Sequence, residues 1–269
     1  MKEKRSLLGK TYLVLFLLFM YLPIGVMIAY SFNESKSRSV FTGFTLDWYS
    51  KLLNNDAILS SLVNSMIIAF ASSVIAVVLG TMAAIGIQNM KKRARTLVLN
   101  VSYLPIINPE IITGVSLMLL FVWMKLEFGF TTLILAHIAF NVPYVVMSVM
   151  PKLRQLDKTQ VEAAEDLGCS PRQAFWKVVL PQIKPGITSG FLIAMTYSFD
   201  DFVISHFVSG ASAQTLPLTI YSMTRKKVSP EINALSALMF VVILGILVAN
   251  NVYEARKQKK KEAENYVKG

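Results

Sequence analysis

The sequence predicts an all-α integral membrane protein with six transmembrane helices and both termini on the cytoplasmic side. Three observations carry that reading. Of 269 residues, 54% are hydrophobic and only 16% are charged, against roughly a quarter charged in an ordinary soluble domain. A mean hydropathy of +0.52 means more apolar surface than a soluble core of this size hides, so lipid covers part of it. Finally, the charges are segregated, with long uncharged stretches alternating with basic clusters.

The spans follow from the gaps between charges. Lys10 and Glu34 enclose 23 uncharged residues, Asp56 and Lys91 enclose 34, Glu127 and Lys152 enclose 24, and Glu231 and Glu254 enclose 22. Each exceeds the ~20 residues that a helix needs to cross ~30 Å of hydrocarbon. Two more stretches reach that length only by taking acids into the membrane: 96–124 contains Glu110, and 185–208 contains Asp200 and Asp201. The expected helices are 11–31, 60–87, 97–124, 131–150, 186–208 and 232–253.

Orientation comes from the basic residues. Four lie at the N-terminus, four follow the second span (Lys91, Lys92, Arg93, Arg95), six lie between the fourth and fifth spans, and six are in the tail. These 20 of 27 fall on one side, which the positive-inside tendency makes cytoplasmic. The first run is too long for a signal-peptide core, and Ala29-Tyr30-Ser31 is a poor cleavage site, so it reads as an uncleaved anchor. In the outer segment 31–56, Trp48, Leu52 and Leu53 are expected on one helical face at the membrane surface.

The net charge of +11 is spread among apolar spans, which argues against a nucleic-acid binder. The single cysteine, Cys169, excludes an intramolecular disulfide and a CxxC metal site. Two separated histidines complete no metal or nucleophilic constellation, so neither a metal, a cofactor nor an enzyme active site is expected. Gly9-Lys10-Thr11 looks like the end of a P-loop, but Lys4 stands where the motif needs glycine and no strand precedes it.

The longest cytoplasmic connection, 151–185, carries two helix signatures. Thr159-Gln160-Val161-Glu162 fits a capping box, a short helix follows through Ala163, Ala164 and Leu167, and Gly168 ends it. Ser170-Pro171-Arg172-Gln173 repeats the logic, and the second helix runs through Phe175, Trp176 and Val179 to a stop at Pro181. Phe175 and Trp176 are out of place in a solvated linker and suit a surface that docks another protein. Asp166 and Arg172 either contact that partner or are simply solvated.

Glu162-Ala163-Ala164, three residues, Gly168, nine residues, then Val178-Val179-Leu180-Pro181 resembles the EAA loop of permease subunits in binding-protein-dependent ABC importers. The family pattern ends I-x-L-P, and Val178 replaces the isoleucine. The resemblance implies a type I ABC importer permease: a single domain over 1–269, a core over 60–250, a coupling loop at 159–181 and a basic tail at 254–269. It implies that Glu162, Ala163, Ala164, Asp166, Gly168, Arg172, Leu180 and Pro181 meet a separate ATP-hydrolysing subunit.

The intramembrane acids point to the cargo. An ionisable group at mid-membrane costs about 2.5–3.5 kcal/mol on insertion scales and usually faces water. Neither Glu110 nor the Asp200–Asp201 pair has a Lys or Arg at the same depth on its own segment. Asn108-Pro109-Glu110 reads as a cap, a first-turn proline and a first-turn acid, which allows a break in the third helix there, and Glu110 serves either a cation path or that helix start. For Asp200 and Asp201 the alternatives are a path role for at least one or hydrogen bonding between helices. Tyr197 shares a stripe with Asp201, and a ring beside a carboxylate suits an organic ammonium. His137 and His206 read as packing residues, His206 being the nearer to the acids.

Together with Phe44-Thr45, Trp48-Tyr49, Asn54-Asn55-Asp56, Leu216-Pro217-Leu218, Ile220-Tyr221-Ser222-Met223 and Val228 to Ala234, these pieces make nearly the whole chain similar to PotC-type permeases of spermidine/putrescine importers. The resemblance implies polyamine transport across the bacterial cytoplasmic membrane. It also implies a second permease, two ATP-binding subunits and an external solute-binding protein as partners. A permease for another small organic solute and an ion-coupled cation transporter are the competing readings.

Overall fold

The computed structural model describes residues 7–35, 40–211, 213–226, 230–245, 248 and 252. The basic tail 254–269, Lys2, Lys4, Arg5, Val228-Ser229 and most of the last turns of the sixth expected span lie outside the described residues. The described chain is helical apart from short connections and one isolated antiparallel bridge, Asn33–Phe44. It divides into two compact units, residues 1–56 with 222–269, and residues 57–221.

In the first unit, α1 (Leu7–Tyr30) is apolar all round, and no residue of its membrane window is buried, as expected of a helix facing lipid. Beyond it Asn33 organises the outer segment. Its Nδ2 donates to the Val40 carbonyl at 2.9 Å, its Oδ1 accepts from the Thr42 amide at 2.9 Å, and its own carbonyl accepts from Trp48 Nε1 at 2.7 Å. The Phe32 ring lies 5.2 Å from both Phe44 and Tyr49. The helix α2 (Asp47–Leu53) buries Trp48 and Leu52, but Leu53 is exposed. The expected three-residue face therefore loses Leu53, which at five positions from Trp48 is turned roughly 140° around the helix.

The second unit is built on α3 (Asp56–Gln88), α4 (Lys92–Ile107), α5 (Glu110–Trp123), α6 (Phe130–Gln155), α7 (Lys158–Asp166), α8 (Pro171–Ala174), α9 (Leu180–Asp200) and α10 (Val203–Val208). The helix α11 (Leu216–Lys226) follows, and α12 (Pro230–Gly245) belongs to the first unit. One core cluster joins Ala76 and Ala84 of α3, Val145, Val146 and Val149 of α6, and Ile183 and Ala194 of α9. A second joins Ile68, Phe121, Leu133, Phe140, Ile204 and Val208. Small residues set the approach of α6 to α9. A Cβ on Gly186 would stand 2.8 Å from the Ser148 carbonyl oxygen, so only glycine allows that spacing.

The third expected span, 97–124, carries the break that Asn108-Pro109-Glu110 allows and is two helices meeting at 102°. Pro109 has no N–H to continue α4 and favours extended backbone at Asn108, whose ψ is 136°. The fifth, read as 186–208, starts earlier and ends earlier, because the chain is helical without interruption from Pro171 to Asp200 and restarts at Val203. Pro181 does not stop it. A π turn spans Phe175–Val179, and the Leu180 amide bonds back to the Phe175 carbonyl, so the ladder shifts by one residue just where Pro181 has no proton to give.

Candidate coupling knob and membrane acids

The segment 157–182 folds into a knob whose two helix starts and intervening turn are capped. Asp157 caps α7, accepting from the Thr159 amide at 3.0 Å and the Thr159 hydroxyl at 2.7 Å. The cap expected at Thr159 is therefore two residues upstream, and Glu162 lies beyond the first turn instead of closing a box. An aspartate there both accepts the free amide and complements the helix dipole. The hydrogen bonds from the Thr159 hydroxyl and then its amide hold the Asp157 carboxyl below the usual carboxylate range.

At the other end of α7 the Cys169 amide bonds to the Ala164 carbonyl at 3.0 Å and the Gly168 amide to the Glu165 carbonyl at 2.9 Å. This is a Schellman motif, and Gly168 holds the left-handed φ of 87° that it requires. Ser170 and Gln173 then form the expected reciprocal box at 3.0 and 3.3 Å, with Pro171 in the first turn. Gln182 Nε2 donates to Gln160 Oε1 at 2.9 Å, tying α7 to the first turn of α9.

Glu162, Ala163, Asp166, Gly168, Arg172 and Pro181 are exposed on this knob, while Ala164 and Leu180 are half-buried. Leu167, which the sequence suggested only as part of the helix, is 87% exposed, and Trp176 is 58% exposed. Behind α7 a cavity of about 370 Å³ is lined by Gln88, Arg154, Glu162 and Phe175 among others.

Glu110 is exposed in the first turn of α5, directly after the 102° bend. Asn108 ends α4 and caps nothing with its side chain. Pro109 is the residue before α5. Beside this elbow is a cavity of about 670 Å³ whose wall includes Asn108, Thr113, Ser116 and Phe140. A broken helix within a membrane is tolerated where it lines water or protein.

The two aspartates separate. Asp200 is the last residue of α9 and is exposed, as is Tyr197 one turn before it. Asp201 turns inward. Its carboxylate accepts from the Ile204 amide at 3.2 Å and the Ser205 amide at 2.7 Å, and stands 3.4 Å from His137 Nε2. Asp201 is thus not partnerless. It caps α10 and reaches α6, and because α9 ends at Asp200 it no longer shares a helical stripe with Tyr197. His137 also lies 3.2 Å from the Ser205 hydroxyl, whereas His206 is exposed and stacks on Phe202 at 5.5 Å. Tyr144 of α6 is a residue that sequence reasoning missed. Its ring lies 4.8 Å from that of Tyr197.

The family of inner membrane components of binding-protein-dependent transport systems matches residues 76–261. This chain belongs to that family. The PotC permease protein of the spermidine/putrescine transport system of Haemophilus influenzae is 34% identical over 92% of this chain and 96% of its own length. The PotI permease protein of the putrescine transport system of Escherichia coli K12 is 38% identical over 93% of this chain and 92% of its own. A crystal structure of a bacterial ABC transporter involved in alginate import contains a chain that matches with a TM-score of 0.69 at 15% identity, covering 94% of this chain and 98% of that one. That likeness shows the type of fold. The permease is therefore a multi-pass protein of the bacterial inner membrane, a transport subunit and not an enzyme, and its partners are of the kind found in ABC importers.

Proposed function

We propose that this permease is one half of the membrane channel of an ATP-driven importer for polyamines, spermidine or putrescine. It would pair with a second permease, rest on two ATP-binding subunits and receive its cargo from an external binding protein. The observation that carries the reading is the pair of exposed carboxylates, Glu110 at the broken helix and Asp200 at the end of α9, in a chain whose relatives are named for polyamine transport. Exposed carboxylates suit a polycation, and weak, repeated contacts let it leave as readily as it enters.

Drive enters through residues 159–181. Glu162, Ala163, Ala164, Asp166, Gly168, Arg172, Leu180 and Pro181 form the surface offered to the ATP-hydrolysing subunit. The 30-residue rod Pro171–Asp200 is roughly 45 Å long at 1.5 Å per residue. It joins the knob to Asp200 without a flexible joint. Closure of the ATPases displaces the foot of that rod, and the same rod carries Tyr197 and Asp200 between outward and inward access.

The test is uptake of labelled spermidine and putrescine by proteoliposomes holding the complete complex and its binding protein. ATP-dependent accumulation is expected. Accumulation without ATP, or none of either amine while another organic solute enters, sinks the reading.

A further inference from the structure

The acids alone do not explain one arrangement of side chains in the second unit. Phe140 and Tyr144 on α6 and Tyr197 on α9 form a closed ring cluster, with centroids 5.2, 4.8 and 6.2 Å apart and tilts near 60°. Phe140 is buried and also walls the elbow cavity, whereas Tyr197 is 46% exposed. The exposed Tyr197 and the cavity wall at Phe140 put the cluster at a surface that a guest can reach. The elbow cavity that Phe140 walls is also lined by Asn108, two residues before Glu110, the first residue of α5. Asp200 follows Tyr197 by three residues and is exposed.

Packing alone accounts for Phe140. It gives no reason to add two hydroxylated rings to a cluster whose Phe140 walls the cavity at a helix break. Resting on the polyamine reading above, we infer that Tyr144 and Tyr197 form an aromatic station for the substrate, which holds one ammonium or its adjoining methylenes between the carboxylates of Glu110 and Asp200. Rings attract ammonium through their electron-rich faces and alkyl carbon through apolar contact, and a ring, unlike a carboxylate, keeps little hold once the charge moves on.

The experiment uses the complete reconstituted complex and labelled spermidine, with uptake and ATP hydrolysis stimulated by the loaded binding protein measured together. Tyr144→Leu and Tyr197→Leu are each expected to lower uptake per ATP roughly tenfold, between the worth of an exposed and a desolvated cation–π contact, while Tyr144→Phe and Tyr197→Phe keep most of it. Should a leucine variant fail to assemble, fluorinated tyrosines at 144 and 197 preserve shape while draining the ring face of charge. The KM for uptake is then expected to rise stepwise with fluorine number. Leucine variants that transport at the unsubstituted rate, or fluorinated ones with no trend, overturn the station while leaving polyamine import standing. Absence of polyamine uptake by the unsubstituted complex overturns both together.

Discussion

The carboxylate of Asp201 stands 3.4 Å from Nε2 of His137, with both side chains almost wholly buried. The pair joins the end of α9 to the middle of α6, and the same carboxylate caps α10. It therefore sets the angle at which the chain leaves α9, and with it the position of Asp200. Removing the Asp201 carboxylate leaves the donors that it serves, the His137 ring among them, without an acceptor, at about 1–3 kcal/mol for each buried group. Asp201→Ala is expected to fall in that range by denaturation in detergent, and Asp200→Ala within about 0.5 kcal/mol as an exposed change. Asp200→Asn should instead lower polyamine uptake with complex assembly unchanged. Equal stability losses at the two positions would remove the distinction.

The contact between α6 and α9 predicts a contrast between two glycines one turn apart. A methyl on Gly186 meets the Ser148 carbonyl oxygen at 2.8 Å, which is backbone and cannot step aside, whereas one on Gly190 first meets atoms at 3.4 Å. Gly186→Ala is expected to lower stability by about 1–3 kcal/mol through overpacking. Gly190→Ala is expected to be neutral or to gain a few tenths, since alanine favours the helix. Thermal melts of the purified permease decide it.

Gly168 is the joint between the two knob helices. Its φ of 87° costs an L-residue about 1–2 kcal/mol, and open space around its Cα position means that sterics add nothing. Gly168→Ala should therefore leave the complex able to assemble while turning α7 against α8. Uptake per ATP hydrolysed should fall more than hydrolysis itself. A variant with normal coupling would detach residues 159–181 from the proposed drive.

Ser170→Ala removes one side of a reciprocal box. A loss of about 1 kcal/mol is expected, confined to the start of α8 and visible as faster amide exchange at Gln173, the amide that Ser170 holds. Unchanged exchange there would mean that the cap is not what secures the turn.

Asp157 supplies a pH dependence with a definite sign. Its carboxyl is held below the ordinary value of 3.8 by the Thr159 hydroxyl and amide. A depressed folded value stabilises the cap fully above the unfolded value and loses it as pH falls through the folded one. Protection of the Thr159 amide should thus hold from neutral pH down to about the ordinary value and disappear below it, and Asp157→Asn should abolish the transition. A loss of protection near neutrality would assign the change to another group.

Much of the architecture was legible from composition because lipid imposes simple rules. A span needs about 20 uncharged residues, and the long gaps in charge fall on α1, α3 and α6. The knob was legible too, since Ser170, Pro171, Gln173 and Gly168 act within a few residues of themselves. Its other cap is less legible because Thr159 and Asp157 both offer an oxygen to the same helix start, and the fold uses the carboxylate. Pro181 removes one hydrogen bond and so reads as a stop, yet a π turn moves the ladder so that the bond is not missed.

The acids show the boundary most plainly. Charge spacing alone marked Glu110, Asp200 and Asp201 as costly and purposeful, because hydrocarbon penalises ionised groups regardless of their neighbours. Which of two adjacent aspartates turns inward depends on where α9 ends and on a histidine more than sixty residues away. Local patterns are written in neighbouring residues. The pairing of Asp201 with His137, the ring contact of Tyr144 with Tyr197 and the spacing allowed by Gly186 exist only once helices distant in sequence lie side by side.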